Sequence, residues 1–364
     1  MGDRQLVQGN EAIGWGALAA ACDGFFGYPI TPQNEIPEFF AREMPGRGKV
    51  FVQSQSETGA IMMLYGGAGA GFRVMTSTSS PGWGLMQEGM SHLAAAELPA
   101  VIVLVQRGGP GQGSIRHAQM DYRCVTGTGG GGGYRNIVLA PASVQEIHDL
   151  VQFAFHLADK YSNPVIVLLD GILGLISENL EIGAIDFGRL PGKDWAVKGK
   201  TRQSDGKRRY VHSCPSTAPP PRGYPDYMSW LEHMDQKYQQ ISVSEVRYED
   251  DQAREAELVL VAYGYVSRVC KEAISMARDE GMRVGLIRPI TLWPFPYQAI
   301  REKVSQRCSF LVVEDSFGQL IDDVKIAAEG RTAVHFLGLL SRHLPTDGGM
   351  ILPETVLQKM RGLL

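Results

Sequence analysis

Pro99-Ala-Val-Ile-Val-Leu-Val-Gln106 is the stretch that decides the fold. Its interior is apolar at every position, without the alternation of a strand that has one wet face, and it is too short for a buried helix. A strand apolar on both faces belongs in a parallel sheet covered by helices on each side. Working outward, residues 24–27, 49–52, 73–77, 136–139 and 164–169 have the same short apolar character. Helical stretches fall between them, among them the Ala-rich residues 10–21 and the Gly/Ala-rich residues 57–71. Thr31-Pro32 is expected to open a further helix, with Thr31 as N-cap and Pro32 in the first position. Strands alternating with helices, joined by right-handed crossovers, give a doubly wound parallel α/β domain over residues 1–190.

Composition changes after that point. Residues 193–209 are basic, and residues 215–225 hold five of the chain's 20 prolines. Residues 191–250 therefore read as an exposed connector, or an arm laid on a partner. The α/β pattern returns in residues 258–264, 284–287 and 310–314, with a helix expected over 266–280. Residues 251–364 form a second, smaller α/β domain.

The 364 residues are 44% hydrophobic and 20% charged, with a net charge of -4, which gives no reason to expect nucleic acid as a partner. No run reaches the ~20 apolar residues of a membrane span, and the N-terminus lacks a signal-peptide pattern, so the expected location is cytoplasmic. The five cysteines, at 22, 124, 214, 270 and 308, are too far apart for a metal or redox motif. A His-Glu-x-x-His helix and a Gly-x-Ser-x-Gly elbow are both absent. His92, His148 and His156 fall in helical stretches and read as structural.

In open α/β sheets ligands bind beyond the carboxyl ends of the strands. Four such loops carry candidates. In Gly27-Tyr-Pro-Ile-Thr-Pro32, Thr31 either caps a helix or helps hold a carboxylate. In Gln53-Ser-Gln-Ser-Glu57, Glu57 is either a first-turn acid favoured by the helix dipole or a ligand for a flat group approaching a small-residue helix. Ser77-Thr-Ser-Ser-Pro-Gly82 is a polar, tightly turning loop. Arg107, at the end of the apolar run, needs an anionic partner, either a structural carboxylate or a substrate. Arg116, His117, Gln119 and Asp121 add polarity downstream. The five glycines 129–133 lack the context of a phosphate loop and suggest a flexible loop or lid.

Tyr28-Pro-Ile-Thr-Pro32, Gln55-Ser-Glu57, Thr76-Ser-Thr-Ser-Ser-Pro-Gly82, Leu85-Met-Gln-Glu-Gly89 and Arg107-Gly-Gly-Pro-Gly111 occur in order. Together they resemble the alpha subunits of the 2-oxoacid:ferredoxin oxidoreductases over residues 5–180. The likeness resumes over 256–318, through Arg288-Pro-Ile-Thr-Leu-Trp-Pro-Phe-Pro296 and Val313-Glu314. It implies a pyrimidine-binding domain of the thiamine-diphosphate fold, followed by a domain of the transketolase C-terminal type. Glu57 matches the glutamate that bonds the aminopyrimidine, where a carboxylate favours the imino tautomer that takes the C2 proton. Tyr28 and Pro29 match the cofactor side of the motif, Thr31 the substrate-contacting threonine, and Arg107, with Arg116 as the other register, the substrate-carboxylate arginine.

The same resemblance implies oxidative decarboxylation of a 2-oxoacid, branched-chain or 2-oxoglutarate, with CoA to an acyl-CoA, CO2 and reduced ferredoxin. Arg107-Gly-Gly-Pro-Gly111 leans toward the branched-chain enzymes. Thiamine diphosphate would be shared with a beta subunit carrying the Mg-diphosphate site and a [4Fe-4S] cluster, with gamma and ferredoxin-like subunits completing the enzyme. Asp170-Gly171 with Asn179 only faintly echoes the Gly-Asp-Gly…Asn pattern and reads as a strand end. The rival readings are a subunit of a non-oxidative thiamine-dependent 2-oxoacid decarboxylase, or a non-catalytic assembly or regulatory subunit.

Overall fold

The computed structural model describes residues 4–198, 208–214, 224–306, 308–341 and 349–364. The first part of the chain runs β1 (Arg4–Gln8), α1 (Gly9–Ala19), β2 (Gly24–Gly27), α2 (Glu35–Glu43), β3 (Val50–Gln53), α3 (Glu57–Gly69), β4 (Val74–Ser79), α4 (Ser80–Ala95) and β5 (Ala100–Gln106). It continues through α5 (Tyr122–Thr126), β6 (Ile137–Leu139), α6 (Val144–Tyr161), β7 (Pro164–Asp170), α7 (Gly171–Leu175) and β8 (Ser177–Glu181). Then come α8 (Tyr227–Ser244), β9 (Tyr248–Asp251), β10 (Leu258–Val261), α9 (Gly264–Asp279), β11 (Val284–Pro289) and β12 (Thr291–Trp293). Last are α10 (Tyr297–Ser305), β13 (Ser309–Val313), α11 (Leu320–Ala328), β14 (Val334–Leu337) and α12 (Pro353–Arg361).

Among the described residues the larger sheet has the order β12-β6-β7-β5-β4-β2-β3. Its strands from β6 to β3 are parallel, and β5 lies in the middle, with Val103 opposite Ser77 on one side and Val167 on the other. The continuous apolar run of β5 is explained by its two faces. Val101, Val103 and Val105 enter the core beneath α1, α2 and α6, while Ile102 and Leu104 enter the one beneath α3 and α4. Each fully buried side chain of this kind contributes about 1.5–3 kcal/mol of burial. The second sheet has the order β14-β13-β10-β11-β9, parallel except for β9 at its edge. The doubly wound fold expected from the apolar runs is present.

Several local expectations need correction. The helix expected at Thr31-Pro32 starts only at Glu35; residues 30–33 instead form a turn closed by the Gln33 N–H on the Ile30 carbonyl at 3.0 Å. Thr31 is therefore not an N-cap. The signal of a capping hydroxyl before proline suits a turn as well as a helix start. The glycine run, expected as a flexible loop or lid, has residues 129–131 lying against Gln87, Glu88 and Ser91 in the middle of α4.

Residues 191–250 are more than a connector. Asp226 caps the 18-residue α8, which buries Trp230, Met234 and Ile241. His233, Lys237 and the Tyr224 hydroxyl all meet the buried Glu97 carboxylate beyond α4. The described parts of the basic arm also pack on the first domain: Lys193 pairs with Asp159 at 2.6 Å, and the Val197 N–H bonds the Gly69 carbonyl. Residues 199–207 and 215–223 of that arm lie outside the described residues.

The domains are joined at two levels. Strand β12 leaves the second unit and pairs antiparallel with β6 at the edge of the first sheet. Next to it, the buried Arg288 guanidinium is held by Glu146 at 2.7 and 2.9 Å and by Glu249 at 2.8 Å.

Candidate active site

The carboxyl ends of β2, β3, β4 and β5 converge on the first turn of α4. Strand β4 is unusual in being polar and wholly buried at Thr76, Ser77, Thr78 and Ser79. Burying hydroxyls is costly unless they are bonded. Ser77 Oγ donates to Gln33 Oε1 in the turn after β2, and Ser79 Oγ donates to the Val105 carbonyl of β5 at 2.8 Å. Thr76 Oγ1 has no partner among the described residues. The strand thus uses hydroxyls to tie together the loops on either side of it.

Glu57 opens α3, where Ser56 Oγ caps the helix by accepting from the Gly59 N–H at 3.1 Å. The Glu57 side chain is 5% exposed, yet its carboxylate accepts no hydrogen bond from any described residue. Across from it stands Gly82 in α4. A Cβ at that position would collide with Thr78 Oγ1 and lie 2.6 Å from Glu57 Oε1, so only a glycine lets α4 pack this closely against the carboxylate. A buried acid bordered by backbone and lacking an internal donor is a ready acceptor for a flat ligand bearing N–H groups.

Just beyond β5, Arg107 is 6% exposed and reaches across to Thr31, donating Nη1 to its carbonyl at 2.9 Å. Nη2 donates to the Gln112 carbonyl and to Gln112 Oε1, both at 3.0 Å, while Nε has no partner among the described residues. The structural carboxylate that Arg107 could have used is not in contact with it. Instead, Ser80 Oγ accepts the Arg107 N–H at 3.0 Å and donates to Asp121 Oδ2. Burial pushes the Asp121 carboxyl up to about 6, against the opposing pull of Ser80 and the Arg107 charge. Thr31 Oγ1 accepts from Asn34 at 3.4 Å and is half-buried; Arg116 is exposed on the hairpin beyond. Tyr28 is half-buried and Pro29 exposed in the same turn, which the Gln33 side chain closes on the Tyr28 carbonyl at 3.2 Å.

Ser80 and Gly82 on one helical turn therefore link the two halves of the site: Ser80 holds Arg107, and Gly82 faces Glu57. Sequence reading named Glu57, Thr31 and Arg107 but not the roles of Ser80, Asp121 and Gln33. The run of four hydroxyl residues in a sheet strand was the available signal. Asp170-Gly171 lies at the end of β7, as its reading as a strand end expects. Asp170 caps α7 through the Leu173 N–H at 3.0 Å and accepts the Tyr265 N–H at 2.8 Å. Among the described residues no cluster of His, Cys, Asp or Glu is arranged to hold a metal ion, and no helix is long and apolar enough to cross a membrane.

The fold is a doubly wound parallel α/β domain followed by a smaller α/β domain, of the kind found in transketolase-type and 2-oxoacid:ferredoxin oxidoreductase proteins. Residues 15–249 match the family model described as pyruvate flavodoxin/ferredoxin oxidoreductase, thiamine diphosphate-binding, and residues 256–347 match pyruvate:ferredoxin oxidoreductase core domain II. The chain is 46% identical to the ketoisovalerate oxidoreductase subunit VorB of Methanothermobacter marburgensis, over 98% of this chain and 97% of that one. It is 35% identical to the 2-oxoglutarate synthase subunit KorA of the same organism, with 100% of both chains covered. Among solved structures, a 2-oxoglutarate:ferredoxin oxidoreductase from Magnetococcus marinus, with 2-oxoglutarate, coenzyme A and succinyl-CoA bound, matches with a TM-score of 0.83 at 25% identity. That match covers 99% of this chain, which spans 65% of the other. The chain belongs to the 2-oxoacid:ferredoxin oxidoreductase family, as a subunit of its multisubunit enzymes.

Proposed function

We propose that this subunit supplies the pyrimidine half of a thiamine-diphosphate site that oxidatively decarboxylates a branched-chain 2-oxoacid, with 2-oxoisovalerate as the substrate of choice. The observation that carries the proposal is Glu57, a buried carboxylate without an internal donor, packed against the backbone of Gly82. Thiamine diphosphate, when bound, supplies the carbon nucleophile and electron sink that decarboxylation of a 2-oxoacid requires. Glu57 would accept a hydrogen bond from the aminopyrimidine ring and hold the proton exchanged there, with Tyr28 and Pro29 bordering the ring. The Thr31 hydroxyl and the Arg107 guanidinium would bind the substrate carboxylate. Arg107 Nε, buried and unbonded, is a donor waiting for such an oxygen. Arg116, exposed on the hairpin, is the weaker claimant.

Higher identity to a ketoisovalerate oxidoreductase subunit than to a 2-oxoglutarate synthase subunit supports the branched-chain preference. So does Gly111 after Pro110, where 2-oxoglutarate enzymes of the family tend to Ser-Thr. The diphosphate with its Mg and the [4Fe-4S] cluster are assigned to a beta subunit, with gamma and ferredoxin-like subunits completing the complex. Both oxygens of Asp170 are engaged by backbone N–H groups, which supports placing the diphosphate site elsewhere. Met62, Met63 and Leu85 are exposed on α3 and α4, the helices that carry Glu57 and Gly82, and they offer an apolar face for the beta subunit. CoA is the acyl acceptor and ferredoxin takes the electrons.

The test is a panel of 2-oxoacids assayed with CoA and ferredoxin on the complex reconstituted with its partners. Highest kcat/KM for 2-oxoisovalerate is expected. A complex whose partner lacks both a Gly-Asp-Gly…Asn segment and cluster cysteines, and which releases aldehyde without reducing ferredoxin, would overturn the oxidative reading.

A further inference from the structure

The chain between β5 and α5 makes an excursion whose outer part is a hairpin: the Gly108 N–H bonds the Arg116 carbonyl, and the Ser114 N–H bonds the Gly108 carbonyl, both at 2.8 Å. Arg107 stands at one foot of this hairpin, and its Nη2 is held by Gln112 at the tip. The other foot, residues 117–121, is fastened to the second domain. Gln119 is 0% exposed and makes three bonds across the domain boundary. Its backbone N–H donates to the Asp315 carbonyl at 2.7 Å. Its Oε1 accepts the Asp315 N–H at 3.0 Å, and its Nε2 donates to the Tyr263 carbonyl at 3.0 Å.

The fit is tight. A Cβ on Gly264, which has φ +60°, would lie 2.9 Å from Gln119 Nε2. Beside it, Gln319 Nε2 donates to the Met120 carbonyl at 2.6 Å, and Gln319 Oε1 accepts the Arg123 N–H at 2.8 Å. Met120 passes this anchorage back to the first foot, where its Sδ accepts the Gly109 N–H at 3.3 Å.

We propose that Gln119, supported by Gln319, is a positioning residue through which the second domain sets the place of Arg107 and hence the affinity for the 2-oxoacid carboxylate. The proposal rests on Arg107 being the substrate-carboxylate ligand. A carboxamide suits the task because it meets one backbone acceptor and one backbone donor at once, in a fixed plane. Leucine has similar bulk but leaves the Asp315 N–H unpaired and the Tyr263 carbonyl with only the Ser267 N–H at 3.3 Å, so the hairpin foot loses its register without opening a cavity. Small misplacement of a binding group is felt strongly in kinetics.

The experiment uses the complex reconstituted with its partner subunits, with 2-oxoisovalerate as probe. Gln119→Leu and Gln319→Ala are each compared with Arg107→Met and with the two double variants. Expected for Gln119→Leu is a rise in KM for 2-oxoisovalerate of about tenfold, with kcat and the KM for CoA nearly unchanged. Gln319→Ala, at a half-buried position, is expected to follow in the same direction with a smaller rise. In the Arg107→Met background neither glutamine change should raise KM further, because a residue acting only through Arg107 has nothing left to position. A full additional rise in that background, or an unchanged KM in both glutamine variants while Arg107→Met raises it, overturns the positioning role alone. An unchanged KM in Arg107→Met overturns the carboxylate reading on which it rests. Should Gln119→Leu fail to assemble, Gln319→Ala and its double variant decide the matter by the same criteria.

Discussion

Glu57 and Glu314 are two buried carboxylates, each just beyond a parallel strand and close to the start of a helix, yet they are treated in opposite ways. Glu314 accepts from the Ser316 hydroxyl and from the backbone N–H groups of Gln319, Leu320 and Ile321, between 2.8 and 3.1 Å. It neutralises the N-terminus of α11, and its charge is consumed within the chain. Glu57 is buried nearly as well but has no such donors; the N–H its own helix start offers, that of Gly59, goes to Ser56. The difference separates a carboxylate that builds the fold from one that the fold holds ready. The second sheet satisfies its acid; the first leaves one open beside Gly82.

Four changes would break or sharpen this contrast. The largest effect is expected from Glu57→Gln, which should lower turnover of 2-oxoisovalerate by about two to four orders of magnitude in the reconstituted complex. The thermal midpoint of the chain should stay in place, since no internal hydrogen bond is lost. Glu314→Leu should do the reverse. Three backbone N–H groups would be left buried and unpaired, costing about 3 kcal/mol or more in denaturant unfolding. Activity per folded complex should change far less than stability.

Gly82→Ala pushes a methyl group toward Thr78 Oγ1 and Glu57 Oε1 and should weaken thiamine diphosphate binding by about tenfold in a cofactor titration. Full affinity there would mean that the close packing of Gly82 on Glu57 has no part in holding the cofactor. The smallest effect concerns pH. Burial raises both Asp121 and Asp170 from 3.8 to about 6, so each favours folding most when protonated. That contribution is complete below about pH 4 and is lost as pH rises through about 6. Asp121→Asn should flatten the pH dependence of unfolding within that window, as measured by denaturant titration at pH 4, 5, 6 and 7.

Much of the fold was legible because it depends on local pattern. The apolar runs at β5, β7 and β10 had to be buried on both faces, and the sheets follow from them. Helix α8 was also written in the chain, through Trp230, Met234 and Ile241 on one face, but the basic and proline-rich flank before it carries the stronger signal, that of a connector. Strand β12 was not legible: three residues join the first sheet from the second unit through pairing with residues some 150 positions away. Of the site, Glu57, Thr31 and Arg107 could be named from motif order. What sets Glu57 apart from Glu314 could not, because it depends on which backbone N–H groups a distant loop folds back to offer. The Ser80–Asp121 support and the Gln119 anchorage are long-range in the same sense.

The most direct measurement is the exchange of the C2 proton of bound thiamine diphosphate for deuterium, followed by NMR after acid quench. It should be made in complexes carrying wild-type chain, Glu57→Gln or Glu314→Gln, each saturated with cofactor. Expected is exchange slowed by about a hundredfold or more in Glu57→Gln and close to wild type in Glu314→Gln. Equal exchange rates in Glu57→Gln and wild type would contradict the role given to Glu57.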